Sequence, residues 1–118
     1  MAYDPEFGAW VREHFAGLGP IEIKPMFGAA SVYADGLIFA LLDDGVIWMK
    51  ADEQNRAALE ATGARQIIYA SKDGKVMAMP YWSLTDSAVD DADEAVEWAR
   101  QSLEAARRKA ALKKPRKR

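Results

Sequence analysis

Three Asp-Gly pairs, Asp35-Gly36, Asp44-Gly45 and Asp73-Gly74, each stand between two apolar runs. No other feature of the chain restricts its fold more. Glycine accepts positive φ without a Cβ clash and aspartate bonds its own turn, so Asp-Gly between apolar runs reverses an antiparallel strand pair. The runs around the first two pairs predict three antiparallel strands, over residues 21–33, 37–42 and 46–50. Pro25 and Gly28 are the places where the first of these can break. "QIIYASKDGKVMAMPYW" predicts a further hairpin around Asp73-Gly74, and Pro80 argues that its second strand lies at a sheet edge or ends there.

Helical spacing frames these strands. Asp4-Pro5-Glu6 is an N-cap, a proline at the first helical position and an acid in the first turn. Phe7, Trp10, Val11, His14, Phe15 and Leu18 then share one face of an amphipathic helix of about three turns, ended by Gly17, Gly19 and Pro20. Asp52 predicts the cap of a second helix in "DEQNRAALEATG", with Gly63 at its C-terminal end. After the loop "SLTDSAVDD", Asp91 or a neighbour opens a third. It is long, with Val96, Ala99, Leu103, Ala106 and Ala110 at 3-4 spacing. The order α-β-β-β-α-β-β-α predicts an α+β fold of two layers: a largely antiparallel sheet of about five strands, with the helices on one face and the other face open.

Charge divides the chain unevenly. Residues 107–118 hold 8 of the 16 Lys and Arg and no acid, while residues 1–106 hold the other 8 against all 18 Asp and Glu. We therefore expect one α+β domain over residues 1–108 and a basic, disordered tail over 109–118. With no cysteine, the chain offers no disulfide framework, thiol nucleophile or Cys-ligated metal and fits a reducing cytoplasm. No apolar stretch approaches the roughly 20 residues that span a bilayer, and the N-terminus is acidic where a signal peptide is basic, so no membrane role is expected.

Residues with chemical potential mostly have simpler work. His14, the only histidine, sits on the apolar side of the first helix, which suits a packed or hydrogen-bonded ring better than a general base. Asp90, Asp91, Asp93, Glu94 and Glu97 gather where a helix N-terminus needs caps and negative charge, without the spacing of a cation loop. Phosphate loops of the Gly-rich kind are absent. No catalytic residue, metal or cofactor is expected, and an enzyme is the least favoured class.

The segment "KPMFG" is the candidate contact site. Pro25 withholds an N–H, Gly28 permits a bend or bulge, and in an extended segment Met26 and Phe27 point to opposite faces. Core packing accounts for one of them. The other, beside the cation Lys24, is expected to meet a protein partner. Trp82, just past Pro80, and Trp98, off the strict core spacing of the last helix, are expected to be partly exposed at an interface. The alternative is a nucleic-acid contact through the tail cations Arg107, Arg108, Lys109, Lys113, Lys114, Arg116, Lys117 and Arg118, which would grip phosphates with little sequence preference. Association with a second copy is compatible with either.

"KPMFGAASVYADGLIFALLDDGVIWMKAD", followed by "MAMPYWSL" and "DADEAVEWARQSLEAARR", resembles the TfoX N-terminal domain family over roughly residues 4–108. The family's usual pattern is Arg-x-Met-Phe-Gly-Gly, an apolar strand, a Gly turn, Phe-Ala-Leu, a second turn and Leu-Lys-x-Asp. Lys24 replaces the usual arginine and Ala29 the usual second glycine. The resemblance implies regulation rather than catalysis: the family's best-known members act in natural competence as co-activators with a cyclic-AMP receptor protein and carry a further C-terminal domain, beside single-domain relatives. The expected role is thus a small cytoplasmic regulatory or adaptor domain working through protein contacts, including contacts with the transcription machinery.

Overall fold

The first and last helices begin at an aspartate cap, whereas the second begins at Arg56, with Asn55 rather than the expected Asp52 at its N-cap and no side-chain cap bond. The Asp4 carboxylate accepts the Glu6 N–H at 2.9 Å and Pro5 occupies the first position of α1 (Pro5–His14), followed by a 3-10 turn at Ala16–Leu18. The computed structural model describes residues 4–26, 28–70 and 72–113. Within them lie six strands and four α-helices, in the order α1, β1 (Glu22–Met26), β2 (Ala29–Ala34), β3 (Leu37–Asp43), β4 (Val46–Lys50), α2 (Arg56–Ala61), β5 (Gln66–Ala70), β6 (Val76–Ser83), α3 (Asp86–Asp90) and α4 (Ala92–Lys113).

The architecture is the expected α+β one, with an open antiparallel sheet ordered β1-β2-β3-β4-β6-β5. Three differences carry information. The strand expected over 21–33 is two strands. Met26 pairs with Ala29, so the chain reverses between them, and Gly28 takes φ 83°; the bend or bulge expected at Gly28 is a full hairpin reversal, which raises the strand count from five to six. Pro80 does not mark an edge. β6 lies between β4 and β5, and Pro80 sits where the register slips, between the pairs Gln66–Trp82 and Ile68–Ala78. A residue without an N–H is tolerated there because the ladder is already interrupted, while its carbonyl accepts from Ala51 N–H at 2.9 Å. Pro25, by contrast, lies in the edge strand β1. Finally, the loop expected at "SLTDSAVDD" contains α3, and Asp91 caps α4 by accepting the N–H groups of Asp93 and Glu94.

At the first two Asp-Gly pairs both residues have positive φ, 54° and 77° then 54° and 76°, the two-residue turn whose twist suits a hairpin. At the third only Gly74 does, in a longer connection between Ala70 and Val76.

The core forms because alternate strand residues reach one face together. Ile23, Val32, Ala40, Met49 and Trp82 align across β1, β2, β3, β4 and β6 and are buried on the face that α4 crosses at β3 and β4. A register shift after Val32 gives β3 an extra residue, so adjacent Phe39 and Ala40 are both fully buried, and Phe39 meets Phe15, the C-cap of α1, edge-on at 5.8 Å between ring centroids. α4 contributes Ala95, Val96, Ala99, Leu103 and Ala106 to the buried set, whereas Ala110 is exposed. Small residues on its inner stripe let the long helix lie close to the sheet.

Candidate interaction surfaces

The face of the sheet away from α4 is lined by cations laid over aromatic rings. By register, Lys24, Ser31, Leu41, Trp48 and Ser83 form a row on this face. Lys24 Nζ lies 4.9 Å from the Tyr33 centroid, the Arg65 guanidinium 5.3 Å from that of Trp48, and Lys50 Nζ 4.9 Å from that of Tyr81, to whose Oη it also donates at 3.2 Å. Each contact draws a cation to the negative face of a ring and buries its alkyl stem on apolar surface. Burial, and then the neighbouring Tyr33, push the Tyr81 hydroxyl up to about 12, so near neutral pH it is an uncharged hydrogen-bonding group rather than a base.

The structure scatters the expected contact residues. Lys24 is exposed on this open face at the β1 edge, engaged with Tyr33. Gly28 is exposed at the β1–β2 reversal. Met26 ends β1, but its side chain and all of Phe27 lie outside the described residues. Trp82 is corrected: it is only 5 % exposed, opposite Met49 on the core face. The strand runs through Pro80 to Ser83 inside the sheet, and alternation then points residue 82 beneath the helices. Trp98 is half-buried against the core, its Nε1–H reaching Glu94 at 3.4 Å.

The tail cations are corrected in part as well. α4 runs to Lys113, past the boundary expected at 108. Arg107 bonds Asp35 at 2.7 Å and Glu104 at 2.8 Å, and Arg108 grips Asp52 with two N–H groups at 2.6 and 2.9 Å. These two arginines fasten the end of α4 to the β2–β3 turn and the β4–α2 junction, a use that dipole and tail reasoning from sequence does not reveal. Lys109 is exposed. The side chain of Lys113, and Lys114, Arg116, Lys117 and Arg118, lie outside the described residues.

Asp52 joins several of these bonds: its other contacts are the Gln54 N–H at 2.9 Å and, through its own N–H, Asn55 Oδ1 at 2.7 Å. Its carboxyl is held at about 2, against an ordinary 3.8, first by the hydrogen bonds from Arg108, with burial opposing and the Gln54 amide assisting. A carboxyl depressed in the folded state stabilises the fold above its unfolded value and loses that contribution as pH falls toward the folded one. With side chains about one third exposed (32 and 31 %), screening leaves an expected contribution of about 1 kcal/mol. The unfolding free energies of the wild type and Asp52→Asn should therefore differ at pH 6–7 and converge as pH falls from about 4 to about 2. A difference that does not change with pH would remove the ionised pair from the account.

Two apolar surfaces escaped the sequence reading. On the β5–β6 hairpin Ile68, Val76 and Met77 are 59, 68 and 58 % exposed, and β5 is a sheet edge. At the other, Trp10 is 40 % and Val89 37 % exposed beside a groove of about 620 Å³ between α1, α3 and the start of β4. Trp10 fits the core face of α1 by spacing, yet Val11 and Phe15 fill the space beneath that helix. Trp10 instead stacks on His14 at 4.4 Å, whose Nε2–H donates to the Ala88 carbonyl at 2.7 Å and ties α1 to α3. Among the described residues no group of three or more His, Asp or Glu side chains is placed to hold a metal ion, and no helix is long and apolar enough to cross a membrane.

Comparison of the sequence with known proteins identifies the family. Protein Sxy of Escherichia coli (strain K12) is 28% identical over 95 residues, a match covering 80% of this chain and 45% of that protein. The chain thus spans less than half the length of that relative. The family model described as the TfoX N-terminal domain matches residues 13–106, from the end of α1 to the buried part of α4. The chain belongs to the TfoX N-terminal domain family.

Proposed function

We propose that this domain is a regulatory adaptor that works in the cytoplasm, in the control of transcription, through contact with a partner protein. Family membership and the Sxy relative support regulation. The observation that carries the protein contact is the β5–β6 hairpin, with Ile68, Val76 and Met77 each more than half exposed beside an unpaired strand edge. Exposed apolar side chains together with free edge donors and acceptors are what a protein partner covers. Nucleic acid has less to hold, because Arg107 and Arg108 are engaged by Asp35 and Asp52 and the body is acidic.

The test is retention of proteins from the native cytoplasm on the immobilised full chain, with and without nuclease, beside an Ile68→Asp, Met77→Asp variant. Partners should survive nuclease and be lost with the variant, whose melting temperature stays near that of the wild type because both side chains are exposed. Retention that nuclease abolishes would favour the tail cations. Retention undiminished in the variant would move the contact off the hairpin.

A further inference from the structure

We propose that the groove between α1, α3 and the start of β4 docks a Lys- and Arg-rich amphipathic segment of a partner protein. Phe7, Trp10 and Val89 supply its apolar walls, and Val46, Ile47 and Leu84 are also among its lining residues. Trp10 is held in place rather than loose: Phe7, Trp10 and His14 stack along α1 with rings 14° and 17° from parallel, and His14 is pinned to Ala88. A fixed, partly exposed tryptophan loses little freedom on binding and is the residue type that most often anchors a protein contact.

Charge selects the occupant. On α1, Glu6 and Glu13 stand four residues before and three after Trp10, which places them on the same stripe of the helix. On α3, Asp86 and Asp90 flank Val89, and Asp86 also lines the groove. All four carboxylates are exposed, and among the described residues none is in an ion pair; those pairs involve Glu53, Glu97, Glu104, Asp35 and Asp52 instead. Arg65 also lines the groove and lies over the Trp48 ring, while Arg12 lines a separate hollow with Pro20 and Ile21. The lining is mixed, with Thr62, Ser83 and Thr85 beside the apolar side chains, and the exposed acids in and next to it attract a segment that offers cations beside apolar anchors, whose Lys and Arg stems also pack on Trp10. The same acids repel an acidic peptide or a nucleic-acid backbone. The groove lies apart from the β5–β6 hairpin residues, and this inference does not depend on the hairpin reading.

The probe is a fluorescein-labelled 14-residue Leu/Lys peptide of helical period, titrated into the full chain by anisotropy and by amide and indole NMR shifts, with a Leu/Glu peptide of identical pattern as comparison. The Leu/Lys peptide is expected to bind, with its largest shifts at Trp10 and Val89. Asp86→Lys with Glu6→Lys should weaken it at least about tenfold, as should Val89→Glu, which alters an exposed side chain and leaves the fold intact. Rising salt should weaken it too, while Ile68→Asp leaves it unchanged. Failure of the Leu/Lys peptide to bind, equal binding of the Leu/Glu peptide, shifts centred elsewhere, or wild-type affinity in both groove variants would each overturn the proposal. Self-association of the free chain that Val89→Glu abolishes would overturn it too, by assigning the groove to a second copy.

Discussion

Trp82→Ala is expected to lower the unfolding free energy by about 3–5 kcal/mol, the largest effect among the substitutions considered. The indole is 5 % exposed and lies in the row that runs through Met49, Ala40 and Val32 beneath α4. Truncation removes its apolar area from the core and leaves a cavity that the surrounding sheet, fixed by its ladder, fills only partly. In a domain of this size the melting temperature should drop by roughly 10–20 °C. Denaturant unfolding with an unchanged slope and a much lower midpoint would show a loss of core stability. A midpoint within error of the wild type would put Trp82 at the surface, where Pro80 had suggested it.

Gly28→Val should cost about 1–3 kcal/mol, because valine at φ 83° sets its Cβ against the backbone and no β-branched rotamer relieves the clash. Gly28→Asn should cost less, since a short polar side chain tolerates the left-handed region. The ordering Val worse than Asn in the denaturation midpoint is diagnostic. Valine would be neutral or favoured if the residue were in an ordinary strand, so a midpoint unchanged or raised in Gly28→Val would eliminate the reversal.

How much of this was legible in the chain follows from the range of the interactions involved. Asp4, Asp91 and the Asp-Gly pairs at 35–36 and 44–45 act within four residues of themselves, and each does what its sequence position predicts. Gly28 was legible as a special position but not as a reversal, because whether a flexible residue bends or turns a strand depends on whether its flanks pair, here Met26 with Ala29. Pro80 misled for the same reason. A missing N–H marks an edge only if the ladder would otherwise be complete, and the slip between Gln66 and Ile68 makes it incomplete inside the sheet. Arg107 and Arg108 read as tail cations because their partners, Asp35 and Asp52, are 72 and 56 residues away.

The sequence by itself determined the alternation of helix and strand, two tight turns, the caps of the first and last helices and an antiparallel α+β sheet, since all of these rest on local backbone chemistry and the period of apolar residues. Only the tertiary structure decided which apolar residues are surplus. Trp10, Ile68, Val76, Met77 and Val89 carry the same hydrophobicity as buried residues, yet they remain exposed, Trp10 because Val11 and Phe15 already fill the space beneath its helix. Burial is a property of what an element packs against, and the chain encodes that only through contacts between residues far apart along it.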